Sequence, residues 1–430
     1  MINEEFLYYI WHHRLLQSHL LKLITGEEIE ILHPGHRNFE SGPDFFNARL
    51  RIGGIVWAGN VEIHTKASDW YRHHHTGDLS YDNIILHAVE ISDTEILRLD
   101  GSAMPTLVMQ GKYPAHYLEH YYNLMQGASP FVSCSRQLPE VPLLDRSLVL
   151  DRLLTERLES RFEDLHKLHL LQEKRWPDSL YHLLARSFGF KVNAGPFEVL
   201  AKAVPYPLLA RHRHKAEDLE ALLFGQAGLL PVQSPEAYPE RLKRQYRFFK
   251  NKYLLKPMSP HVWKFGGLRP ANFPTLRISQ FAMLHAGQDF LLDRIITASE
   301  INDLAEILDV AASDYWYQHY RFGLPSESYA KRIGKEAILT LIINAVIPFL
   351  FFYGRQQGLA FLCEKTLYWM EKCRPESNRI IRGWQDIGWE ACNAGETQAL
   401  LHLKKNYCDY KKCVNCGIGQ YLLRQPCKTL

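Results

Sequence analysis

The chain is predicted to fold as an α/β N-terminal domain with a small mixed sheet, followed by an all-α domain. Three observations point there. Residues 1–112 mix one amphipathic helix with short alternating strands. From Tyr113 onward strand signals nearly vanish and helical periodicity takes over. The 430 residues also exceed what one core usually organises, at roughly 100–200 residues per domain.

Taken in order, residues 3–23 carry Phe6, Ile10, Leu15, Leu16 and Leu20 at helical spacing and stop before Thr25-Gly26, which predicts an amphipathic helix. Glu28 to Leu32, Phe45 to Ile52 and Ile55 to His64 alternate as strands do, separated by a His-Pro-Gly turn and by Gly53-Gly54. Residues 67–79 read as a short helix or loop. Asn83 to Ile91 is a strand apolar enough to be buried on both faces, and Leu97 to Met109 reads as a hairpin-like pair. Leu143 to Leu171 then opens a run of amphipathic helices, giving a helical domain over 113–405 with a break near 230–260. Residues 406–430 form a cysteine-containing segment, and no fixed-period repeat is visible.

Composition is that of an ordinary globular chain, 46% hydrophobic and 23% charged. The net charge of +3 is too small to imply nucleic-acid binding by itself, so such binding must rest on a local patch. The start, MINEEFLYYIWHHR, puts acids first and lacks a basic secretory n-region, which predicts a cytoplasmic location. Ala337 to Tyr353 is short for a membrane span and carries Asn344 and Pro348, so a buried helix kinked at the proline is expected and no membrane partner.

The chemistry-bearing stretch is Gly42 to Trp70. Glu62 and His64 share one face of a strand, and Asp44 at the start of the neighbouring strand can approach them. Two carboxylates with an imidazole suit Mg²⁺ or Mn²⁺, and more histidines would shift the preference toward Mn²⁺ or Zn²⁺. The bland alternative makes Asp44 a turn cap after Pro43 and Glu62 an exposed strand carboxylate. His73 and His75, after Trp70-Tyr71-Arg72, and His87 in an apolar strand are candidate substrate contacts or supports for the ion; His74 is expected to do nothing. Asp69, Trp70 and Tyr81 read as packing around the site, and His33, His36, Arg37 and Asn38 as a loop overhanging it.

These residues carry a resemblance. Helix, strand, strand with Pro43-Asp44, strand with Glu62-x-His64, short helix, strand is similar to the core of the PD-(D/E)XK nucleases, which implies a restriction-endonuclease-like fold. By that likeness Asp44 and Glu62 would be metal ligands, Ile63 would lend its carbonyl, and Glu4 or Glu5 would be the further acid. His64 stands where those nucleases have their lysine, so either Lys66 or His64 itself would serve the attacking water. Over its full length the chain also resembles an uncharacterised bacterial family of unknown function, through GPDF, GNVEIH, Trp-x-x-His-x-His and LRPANFP.

Cys408-x4-Cys413-x2-Cys416 points to a bound metal, either Zn²⁺ or an iron–sulfur cluster, with Cys427, Cys392 or His402 as fourth ligand. Reduced thiols near a helix end are the alternative. Some nucleases of the superfamily have three clustered C-terminal cysteines around an iron–sulfur cluster, but with a fourth before the core, whereas here Cys134 follows it. In the helical domain, Arg241 to Tyr253 interleaves bases with aromatics, so Arg244 and Arg247 are candidate phosphate contacts, although an amphipathic helix with buried aromatics gives the same pattern.

Three functions follow as expectations. The first is a metal-dependent nuclease-like hydrolase with Asp44, Glu62 and His64 or Lys66 as catalytic residues. The second is a non-catalytic nucleic-acid-binding or scaffold protein on the same fold. The third is a small-molecule metallohydrolase built on the histidines.

Overall fold

A computed structural model describes residues 2–38, 40–127, 129, 131–287 and 290–425. The residues gather into two compact units. The first holds residues 1–150, 383–389 and 401–430; the second holds 151–382 and 390–400. Residues 401–425 therefore belong with the N-terminal α/β elements.

In the first unit, helix α1 (Glu4–His12) buries Phe6, Leu7, Ile10 and Trp11, with Asn3 capping its N-terminus by accepting from the Phe6 N–H. The expected helix over 3–23 is cut short because Arg14 adopts a left-handed backbone with φ of 51°. Strands β1 (Ile29–His33), β2 (His36–Arg37), β3 (Phe45–Ile52) and β4 (Ile55–Lys66) follow, with β1 and β2 both pairing antiparallel to β3 and β3 antiparallel to β4. After the short helix α2 (Asp69–Arg72) the chain re-enters the sheet as β5 (Ile84–Ile91), parallel to β4, and then as β6 (Thr106–Val108), parallel to β5. The result is a mixed sheet. Of the expected hairpin over Leu97 to Met109 only a single bridge, Leu97 to Ala103, is present, since Thr106–Val108 is taken by β5.

Strand β4 is exposed at Ile55, Val56 and Trp57 and buried from Val61 to His64. The change falls at Gly59, where a Cβ would meet Ile85 Cγ2 at 2.4 Å and the Asn83 carbonyl at 2.8 Å. Only glycine lets β5 close on β4 there. β5 is buried from Ile84 to Glu90, as its largely apolar sequence predicts. Helix α3 (Ala115–Met125) completes the N-terminal part.

The second unit is helical apart from the two-stranded pair His319–Arg321 and Leu324–Pro325. Helix α4 (Leu143–Leu171) begins in the first unit and ends in the second. α5 (Trp176–Phe188), α6 (Phe190–Ala203), α7 (Tyr206–Arg211), α8 (Ala216–Gln226), α9 (Ala237–Tyr253) and α10 (Pro274–His285) surround a core that includes Phe188, Phe224, Phe249, Phe281 and Trp316. The apolar run around Pro348 lies in a continuous helix, Lys335–Gln357, two-thirds buried by protein. Its irregularity is a π turn over Ile342–Val346, just before the proline that cannot donate a backbone N–H.

In the LRPANFP segment, Pro274 opens α10 behind an N-cap at Phe273. The Asn272 side chain accepts from Arg277, which is buried over the Phe190 ring and also donates to Gln280. Arg277 is thus a structural group.

Candidate functional site

Asp44 and Glu62 meet through each other's backbone. The Asp44 N–H donates to Glu62 Oε2 at 3.0 Å, and the Ile63 N–H donates to Asp44 Oδ2 at 2.9 Å. The other Asp44 oxygen pairs with Arg37 Nη1 at 3.0 Å, and the Arg37 guanidinium stacks 3.6 Å from the Tyr8 ring centroid. Each oxygen of Asp44 therefore has a donor, and its backbone N–H holds Glu62 Oε2. One oxygen of Glu62, Oε1, faces the histidines instead, 3.2 Å from His75 Nε2 and 3.5 Å from His64 Nε2.

His64 is 2% exposed and sits at the centre of an imidazole cluster. Its Nδ1 lies 2.9 Å from His87 Nε2, and its Nε2 lies 3.2 Å from His73 Nδ1. One ligand nitrogen from each of His64, His73 and His75 lies within 4.8 Å of the other two. His75 Nε2, although near Glu62, is out of hydrogen-bonding alignment and has no partner. An orphaned buried nitrogen facing a carboxylate and two further imidazoles fits a divalent ion held by Glu62, His64, His73 and His75.

Local sequence explains the convergence. Helix α2 ends in a Schellman arrangement, with the His75 N–H donating to the Trp70 carbonyl and the His74 N–H to that of Tyr71. His74 takes the left-handed position at φ of 60° and is exposed, so it turns the chain while His73 and His75 on either side serve the cluster. Tyr81 stacks on His75 with centroids 3.9 Å apart, and Trp70 packs against both His75 and His87. Asp69 accepts from Thr65 Oγ1 and the Lys66 N–H and pairs with Arg72, tying β4 to α2.

Electrostatics favour a cation here. Burial raises the carboxyls of Glu4, Asp44 and Glu62 above their usual range, and the Asp44 charge adds to the rise at Glu4 and Glu62. Burial, with His87, His75 and His73 around it, pushes His64 down to about 2, and burial pushes His87 down to about 3. His64 and His87 are therefore neutral near pH 7, which leaves His64 a lone pair for a metal.

The other sequence candidates fall as follows. Lys66 is exposed at the end of β4, where its ammonium acts on Asp93. Of the two acids on α1, Glu4 is electrostatically linked to Asp44, whereas Glu5 accepts from Asn415. Asn38 clamps the loop, donating to the carbonyls of Glu40, Ser41 and Pro43. Arg37, expected to overhang the site, lies on β2 and pairs with Asp44. A cavity of about 490 Å³ opens beside it, lined by Tyr8, His12, Phe45 and Lys412 among others. Arg244 and Arg247 are exposed on α9 in the second unit, with Tyr246 and Phe249 buried and Phe248 exposed.

Cys408, Cys413 and Cys416 do lie together, and the fourth cysteine beside them is Cys134. Of the fourth ligands expected from sequence, neither Cys392 nor His402 lines that cavity. Cys392 is exposed in the second unit, His402 faces Asn406, and Cys427 lies outside the described residues.

A family model described as "Protein of unknown function (DUF2851)" matches residues 4–379. No curated protein and no solved structure matches the chain.

Proposed function

The chain belongs to that family of unknown function, and from its own site we propose a metal-dependent hydrolase of phosphodiester bonds with nucleic acid as substrate. The observation that carries this reading is the approach of Glu62 Oε1 to His64 and His75 within a histidine trio of ligand spacing. Three imidazoles and one carboxylate suit Mn²⁺ or Zn²⁺ better than Mg²⁺. Such an ion would polarise a phosphoryl oxygen and supply hydroxide near neutral pH. Asp44 orients Glu62 through its N–H, and His87 orients His64. Arg37, held flat on Tyr8 beside the open cavity, is placed to attract an anionic backbone. The restriction-endonuclease-like likeness supports nucleic acid as the substrate.

A second reading, hydrolysis of a small-molecule ester by the same ion, is favoured by the number of histidines around it. One assay separates the two. The full chain loaded with Mn²⁺ or Zn²⁺ is offered labelled single- and double-stranded DNA and RNA, alongside a small chromogenic phosphodiester. Cleavage of a polynucleotide that disappears in Glu62→Ala and His75→Ala variants of unchanged circular dichroism is expected. Turnover of the small ester alone selects the second reading. Equal cleavage by wild type and both variants, or none with any divalent ion, overturns the hydrolase proposal.

A further inference from the structure

A second group of metal-ligating side chains is independent of the histidine site. Four cysteines from two distant stretches of chain line one small cavity, with Leu124 and Val132 among its apolar walls. Cys134 follows α3, and its carbonyl accepts from the N–H groups of Gln137 and Leu138. Cys408 ends a π turn, Lys404–Cys408; Cys413 opens a 3₁₀ turn, Cys413–Asn415; and Cys416 precedes the helix Gly417–Arg424. The backbone of this knuckle is tightly folded. The Lys411 N–H donates to the Cys408 carbonyl, Lys411 is left-handed at φ of 52°, and the Cys416 N–H donates to the Cys413 carbonyl at 3.2 Å. At Gly419 a Cβ would meet the Cys413 carbonyl oxygen at 2.0 Å, so glycine is required for the helix to seat on the Cys413 turn. None of the four cysteines is in a disulfide.

The setting suits a bound cation. Lys404 lies near Cys408 and Lys411 near Cys413, supplying positive charge beside what would be an anionic centre, and a metal that binds such thiols displaces their protons. Spacing then separates a single ion from a cluster. Among the described residues, the group with three ligand atoms mutually within 4.8 Å is the histidine trio, so no three of the four sulfurs lie that close together. A tetrahedral zinc at Zn–S ~2.3 Å would hold them about 3.8 Å apart. An iron–sulfur cubane, whose thiolates are separated by the body of the cluster, matches the wider setting.

We propose that Cys134, Cys408, Cys413 and Cys416 are the four thiolate ligands of a [4Fe–4S] cluster that ties the end of the chain to the turn after α3. The proposal stands whether or not the Glu62 site hydrolyses anything. Its test is iron, acid-labile sulfide and zinc analysis of the full chain purified without oxygen, combined with thiol alkylation mapped by mass spectrometry. About four irons and four sulfides per chain are expected, with a broad visible absorption that bleaches on reduction. The four ligand cysteines should resist alkylation until a chelator strips the iron, while exposed Cys392 reacts from the start. Cys134→Ser should lose most of the iron, and Cys392→Ser none. Stoichiometric zinc without iron, or no metal at all, overturns the cluster. Alkylation of Cys134 in the iron-loaded chain removes it as a ligand even if the Cys134→Ser variant does not fold.

Discussion

His87 carries no charge and touches no solvent, yet it determines which nitrogen His64 can offer. It is 0% exposed, and its Nε2 lies 2.9 Å from His64 Nδ1. If His64 donates through Nδ1–H, its Nε2 keeps a lone pair facing Glu62, His73 and His75, which is the tautomer a metal requires. His87→Ala should therefore weaken Mn²⁺ or Zn²⁺ binding by roughly 10–100-fold, the usual cost of losing a partner that orients a ligand. His87→Gln, which retains an acceptor, should restore most of it. Competition titration against a chromophoric chelator measures both, and an alanine variant that binds as tightly as wild type removes His87 from the site. Much of this cluster was legible in the chain. Side-chain alternation puts Glu62 and His64 on one face, and Trp-x-x-His-x-His marks His73 and His75. What local pattern could not show is that Arg37 and the Ile63 N–H occupy Asp44, leaving the histidines to share Glu62. That division arises from partners brought together by the β2–β3 and β3–β4 pairings, not from spacing.

Among the elements, the junction of α8, α9 and α10 holds an acid that reads in sequence as one more solvent-facing carboxylate. Glu220 is 1% exposed and accepts from Tyr238 Oη at 2.7 Å, Ser279 Oγ at 2.5 Å and Ser313 Oγ at 2.9 Å. Burial raises its carboxyl, and the three hydroxyls only partly oppose the rise. The sign follows from linkage. A raised folded-state value means that this group's contribution to stability is complete below the unfolded-state value of about 4.3 and declines as pH climbs through the folded one. Glu220→Gln keeps an oxygen for the hydroxyls and removes the titration. Its melting temperature should fall less than that of wild type between about pH 5 and pH 8. Calorimetric scans across that range decide it, and parallel curves for the two proteins would show that Glu220 does not titrate there. The contrast with α9 is instructive. Its amphipathic pattern correctly announced a helix with buried aromatics, since Tyr246 and Phe249 face inward while Arg244 and Arg247 stay exposed. A periodic face is visible in sequence; a single buried acid is visible only through its neighbours.

For the whole molecule, the decisive feature is that the α/β unit is assembled from chain segments separated by most of the helical unit. In sequence, residues 406–430 look like an appended cysteine segment, because nothing in 25 residues tells which surface their apolar positions will cover. In the structure Val414, Ile418, Leu422 and Leu423 are buried, Asn415 donates to Glu5 on α1, and the Leu423 carbonyl faces His120 on α3. Four fully buried aliphatic side chains at roughly 1.5–3 kcal/mol each amount to about 6–12 kcal/mol, an upper estimate that rivals the net stability of an average domain. Ending the chain at Leu400 should therefore unfold the α/β unit, not merely remove four cysteines. Limited proteolysis with mass mapping is the measurement. Cleavage is expected to appear within residues 1–150 of the shortened chain, while a Cys408→Ser, Cys413→Ser, Cys416→Ser variant, which keeps the four aliphatic groups, should resist cleavage better than the truncation does. If the shortened chain is as protected as the full one over residues 1–150, the C-terminal segment is an accessory to the α/β unit and not a part of its core.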